Sequence, residues 1–153
     1  MNVSWEHPDK AGVLRHLSRG WDGALIGRSA APADVADPYM TLGTHPDLVE
    51  RLWDQLGARL PEPCRWVVYG RPALVHPRTG LVFGFAGGTH TYGLRLPPAE
   101  RAEAVRAGAR REHTYRDRSR LDAEALGADW ILCGWLRPEP EWCLAAYAHA
   151  ARA

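Results

Sequence analysis

Residues 66–96 read WVVYGRPALVHPRTGLVFGFAGGTHTYGLRL, and the fold is decided there. Trp66-Val67-Val68-Tyr69 is β-branched and aromatic, and Gly70-Arg71-Pro72 punctuates it. Ala73-Leu74-Val75-His76 follows, then the turn residues Pro77-Arg78-Thr79-Gly80. Leu81-Val82-Phe83-Gly84-Phe85-Ala86 closes at Gly87-Gly88, and the run from Thr89 to Leu96 stops at Pro97-Pro98. Short apolar runs bounded by Gly and Pro are strands, so the stretch predicts a four-stranded antiparallel meander.

The Gly87-Gly88 pair suits a two-residue hairpin turn, because such turns require positive φ. That turn sets Phe85 opposite His90, Phe83 opposite Tyr92 and Leu81 opposite Leu94. One face then carries Leu81, Phe83, Phe85, Tyr92 and Leu94, with His90 at its rim. The other carries Val82, Gly84, Ala86, Thr91, Gly93 and Arg95, small enough for a helix or another chain to approach. The Pro77–Gly80 turn leaves two registers open. A type I turn with a Gly bulge pairs Val75 with Phe83 and turns His76 away from the core, whereas a four-residue loop turns His76 inward.

Outward from the meander, Thr44-His45-Pro46-Asp47 starts a helix, with Thr44 as the expected cap and Asp47 placed to complete it. Leu48, Val49, Leu52, Trp53 and Leu56 follow at helical spacing and form a lid for the core face. A first helix opens at His7-Pro8-Asp9, buries Val13, Leu14 and Leu17, and stops near Gly20. Residues 21–27 allow a brief strand, and 29–37, rich in Ala, Pro and Asp, read as a loop. After the meander a short helix from Pro98 uses Ala102 and Val105 as apolar contacts. Residues 130–136 are an apolar run of strand length, able to pair with an edge of the meander. Residues 138–152 form the last helix, with Trp142, Ala145, Ala146 and His149 on one face. The chain is read as one domain over 1–153: an N-terminal helix and loop arm (1–43) on an α+β core (44–153).

With 46% hydrophobic and 24% charged residues over 153 positions, the chain has an ordinary globular composition and is long enough for one real core. A net charge of +1 argues against a surface directed wholly at nucleic acid or membrane. There is no apolar run of about 18 residues and no basic-then-apolar leader at Met1, so a cytoplasmic protein with no membrane partner is expected. Of its 19 basic residues only Lys10 is a lysine. Cys64, Cys133 and Cys143 are odd in number and share no C-x-x-C spacing, which fits reduced thiols.

The chemistry-bearing residues form no decisive motif. The seven histidines show no H-x-H, H-x-x-x-H or H-E-x-x-H spacing, so no metal or other cofactor is expected. A site from His76, His90 and Cys133 competes with the plainer reading of scattered, satisfied histidines. Cys143, near a helix N-terminus, most nearly meets the needs of a reactive thiol, but a small buried hydrophobe is the plainer role. Gly84-Phe85-Ala86-Gly87-Gly88 leads into a strand, not a helix, so it is a hairpin and not a phosphate loop. Arg110, Arg111, Arg116, Arg118 and Arg120 surround Tyr115, and such a segment either contacts phosphates or is a solvated loop whose acids offset it. The seven Trp suit either the core or a homodimer contact, for which Trp142 is a natural anchor.

Tyr69-Gly70-Arg71-Pro72-Ala73, Gly80-Leu81-Val82-Phe83, Leu94-Arg95-Leu96-Pro97-Pro98 and Asp129-Trp130-Ile131 with a helix beyond occur in the order seen in small bacterial TfoX N-terminal/YjbR-like proteins. Over about 44–152 the chain resembles that family. Arg78 and Thr79 stand where the family usually has a Lys before the third strand, and the Arg-rich loop is longer. The resemblance implies a compact α+β fold, sometimes discussed as DNA-associated, with no established enzyme activity.

The expectation is an α+β fold: an antiparallel sheet of about five strands with helices mainly on one face. The expected function is a binding or interaction module without catalytic activity. The alternatives are a nucleic-acid-associated protein acting through the Arg-rich loop, and a small enzyme or ligand binder with a pocket at His76, His90 and Tyr92. No catalytic residue is assigned.

Overall fold

The computed structural model describes residues 8–17, 30–33, 44–87, 91–109, 126–133 and 139–153. Among these described residues, six antiparallel strands form one sheet in sequence order: β1 (Ala30–Pro32), β2 (Arg65–Val68), β3 (Arg71–Val75), β4 (Val82–Gly87), β5 (Thr91–Arg95) and β6 (Trp130–Cys133). The helices are α1 (Pro8–Leu17), α2 (Pro46–Glu50), α3 (Pro98–Arg106) and α4 (Glu139–Ala151). The fold class is thus α+β, with one strand more than the sequence suggested. The extra strand is β1, which pairs with β2 inside the stretch read as a loop. Ala and Pro are weak strand formers, and pairing with the sheet overrides their local preference. The strand expected over 21–27 lies outside the described residues.

The β2–β3 hairpin turns on Tyr69 and Gly70, with φ of 47° and 72°. Val68 pairs with Arg71, so this is a two-residue turn of the kind that needs positive φ at both positions. Glycine meets that need freely, while tyrosine there is strained by about 1 kcal/mol or more. The strand therefore resumes at Arg71 and runs through Pro72, which the sequence had marked as punctuation.

The β3–β4 connection settles the orientation of His76. Val75 pairs with Val82, the His76 amide donates to the Leu81 carbonyl at 2.9 Å, and Pro77–Gly80 is the four-residue loop that turns His76 inward. The register shifts just beyond, because Leu74 pairs with Gly84 and Phe83 is the extra residue of a bulge. That bulge corrects the expected face. Leu81, Phe83, Tyr92 and Leu94 share one cluster, but Phe85 belongs to the opposite one. The β4–β5 turn is corrected too. Gly87 pairs with Thr91, so residues 88–90 separate them and a two-residue Gly87-Gly88 turn is excluded. Phe85 faces Gly93 and Tyr92 faces Ala86.

Two apolar clusters sandwich the sheet. On one face, Leu48, Val49, Leu52, Trp53 and Leu56 meet Leu74, Leu81, Phe83, Leu94 and Ile131, together with Trp142, Cys143 and Ala146 of α4. On the other, Val13, Leu14 and Leu17 of α1 join Trp66, Ala73, Val75, Val82, Phe85, Trp130 and Leu132. Alternation along the strands puts these sets on opposite sides. The helix that starts as α2 widens into a π-helical stretch (Arg51–Leu56) and tightens into a 3-10 turn (Gly57–Arg59). Its Trp53 donates an indole hydrogen bond to the Ala73 carbonyl at 3.0 Å, and the Arg65 guanidinium lies 4.1 Å over the ring. His45, not Thr44, caps α2, its Nδ1 accepting from the Asp47 amide at 3.1 Å.

Two further expectations change. Val105 is 47% exposed and Ala102 is also exposed, while Ala104 is the buried residue of α3. The four described tryptophans, Trp53, Trp66, Trp130 and Trp142, are all buried. Trp142, at 1% exposure, is a core residue and cannot be a dimer contact.

Candidate functional site

Polar side chains gather at one end of the sheet. There β3 and β5 finish, β4 and β6 begin, and the last turn of α4 sits between two groups. The antiparallel order produces this placement: His76 follows β3, Arg95 ends β5, and Asp129 precedes β6.

The first group surrounds Asp129. Arg101 of α3 donates from Nη1 to Asp129 Oδ1 at 2.9 Å and to the Leu96 carbonyl at 3.4 Å. Arg95 Nη2 lies 3.2 Å from Oδ2, and His149 Nε2 of α4 lies 3.4 Å from the same oxygen. The register puts Arg95 opposite Trp130, on the α1 face, so Asp129 at the sheet end joins groups from both layers. Leu96 donates its amide to the Asp129 carbonyl at 2.8 Å and fixes the turn. Burial by itself would raise the Asp129 carboxyl. Hydrogen bonds from Arg101 and His149, with the charges of Arg95 and Arg101, outweigh it and hold the group below the ordinary aspartate range. Arg95 is 9% exposed, and its buried Nη1 has no hydrogen-bond partner.

The second group surrounds His76, which is fully buried. Its Nδ1 accepts from the backbone amides of Arg78 and Thr79, at 3.2 and 3.3 Å. An imidazole accepting at Nδ1 carries its proton on Nε2, and that buried Nε2 has no partner. Burial lowers the His76 pKa, Arg78 lowers it further, and Glu62 opposes them. His76 packs 4.8 Å from the Tyr147 ring of α4. The Tyr147 hydroxyl donates to Glu62, a bond that together with burial raises the phenol pKa. Arg78 lies 3.8 Å from the same carboxylate. Thr79 Oγ1 donates to the Ala150 carbonyl at 3.1 Å, tying the turn to the end of α4. Burial, then Glu62, pushes the nearby Cys64 thiol up to about 12, so it stays protonated at neutral pH. Cys133 and Cys143 are also buried.

Of the residues singled out from sequence, His76 is at this end of the sheet. Tyr92 pairs with Ala86 near the far end of β4, roughly 13 Å along the strand from Val82 at 3.3 Å per residue. The structure does not bring these two together. His90 lies outside the described residues, as do Arg110, Arg111, Arg116, Arg118 and Arg120. Among the described residues no group of three or more His, Cys, Asp and Glu gathers to hold a metal ion, and no helix is long and apolar enough to cross a membrane.

Sequence reasoning missed Asp129, Arg95, Arg101 and His149 as a group. They are spread over 55 positions in elements whose meeting depends on β6 pairing with β5. The available signal was Arg95 immediately before Leu96-Pro97-Pro98, a cation where a strand ends and a helix begins. No family model matches the chain, and no curated protein or solved structure matches it either.

Proposed function

We propose that this chain is a binding module without catalytic activity, and that it engages its ligand or partner at the Asp129 end of the sheet. The supporting observation is a surplus of donors there. Two guanidiniums and an imidazole converge on one carboxylate, and one buried guanidinium nitrogen is left unused. The neighbouring nucleophile and base types are committed to packing: His76 caps a turn with Nδ1, and Cys64 is held as a thiol.

Native mass spectrometry of the gently purified full chain tests it, because subunit number and bound mass are read together. The expected result is a chain carrying a bound small molecule, or a second copy of itself. A bare monomer under all gentle conditions would refute this reading.

A nucleic-acid-associated role is the second reading. It is favoured by connectivity, since the segment carrying Arg110, Arg111, Arg116, Arg118 and Arg120 follows α3 and precedes Asp129 in the chain. It predicts binding to nucleic acid that weakens steeply with salt. Salt-independent or absent binding removes it.

A further inference from the structure

We infer that Arg95, Arg101 and His149 form a site for a small oxyanion, a carboxylate or phosphate group. The inference rests on the proposed binding role and names the chemistry of its ligand. Arg95 is about nine-tenths buried, and its Nη2 is engaged by Asp129 while Nη1 has neither partner nor solvent. A guanidinium is donor-only, so an acceptor is what this position lacks. Charge points the same way. Arg95 and Arg101 against Asp129 leave one positive charge before His149 is counted, so the missing acceptor is best supplied by an anion. Guanidinium forks match the paired oxygens of carboxylate and phosphate, which favours an oxyanion over a halide.

Asp129 gathers the three donors at the sheet end: Arg101 reaches its Oδ1, and Arg95 and His149 both reach its Oδ2. The oxyanion meets the unused Arg95 Nη1, with Arg101 and His149 as the neighbouring donors.

The test is isothermal titration of the full chain with inorganic phosphate and, separately, with acetate. The variants are Arg101→Gln and, to retain the charge, Arg101→Lys, each checked for a native circular dichroism spectrum. The expected result is saturable binding of at least one anion, weakened about tenfold or more by Arg101→Gln and less by Arg101→Lys. Binding of phosphate alone assigns the phosphate class, and binding of acetate alone assigns the carboxylate class. No saturable binding of either up to tens of millimolar, or full affinity in folded Arg101→Gln, overturns the inference. In that event a bound mass in the native spectrum would leave the broader binding role standing, so the two failures are separable.

Discussion

At neutral pH the Asp129 carboxylate accepts from Arg101 at 2.9 Å and faces Arg95 and His149, so removing its charge strands a guanidinium that is nine-tenths buried. Asp129→Asn is expected to lower stability by about 2 kcal/mol, a figure reduced for the carboxylate's partial exposure to solvent. Urea unfolding at pH 7 checks it. The pH dependence has a definite sign. The folded-state pKa lies below the unfolded value, so the carboxylate's contribution is complete above about pH 4. It is lost as pH falls through the lower, folded-state value. The difference in stability between wild type and Asp129→Asn should therefore shrink as pH drops below about 4; a difference that holds or grows in acid would contradict this. At this scale the sequence was least informative. Asp129 was legible as a turn residue, but three donors reach it from β5, α3 and α4, and no local spacing encodes that meeting. His76 was legible only as an alternative between two turns. The choice fell to a loop in which its Nδ1 accepts two backbone amides.

Strands and helices were more legible, and the errors among them have identifiable causes. Periodicity located α1, the helix begun by α2, β6 and α4, because each has apolar spacing strong enough to outweigh its neighbours. It could not locate the bulge at Phe83, which depends on what β3 presents across the ladder and which sends Phe85 to the other face. The face of α3 was misread because Arg101, anchored to Asp129, turns Ala104 inward one helical step later and leaves Val105 outside. The expectation of a close approach at Gly93 has a specific meaning in the fold. The Phe85 and Trp130 rings, 5.1 Å apart, close over it, and a Cβ there would stand 3.1 Å from Phe85 Cζ and 3.4 Å from Trp130 Cε3. Gly93→Ala should cost about 1–3 kcal/mol by overpacking. A thermal melt as stable as wild type would show that the rings move aside freely.

For the whole molecule, the α+β class followed from the 66–96 stretch. The helices were expected mainly on one face, and α2, α3 and α4 do bury their apolar residues in one cluster. The layer on the other face was not legible: the structure places α1 there, with Val13, Leu14 and Leu17 at most 1% exposed. Leu14→Ala should therefore cost about 2–5 kcal/mol, the range for a buried leucine truncation, as measured by equilibrium unfolding. A cost below about 0.5 kcal/mol would mean that α1 is dispensable to the core. Such a two-sided sheet leaves its polar groups one place to collect, at the strand ends, and the central claim is that this end is the binding end. Hydrogen–deuterium exchange on the full chain, with and without inorganic phosphate and then acetate, tests that most directly. The predicted result is slower exchange with at least one anion, confined to residues 95–101, 129–133 and 147–151. Protection elsewhere, or none with either anion, would contradict it.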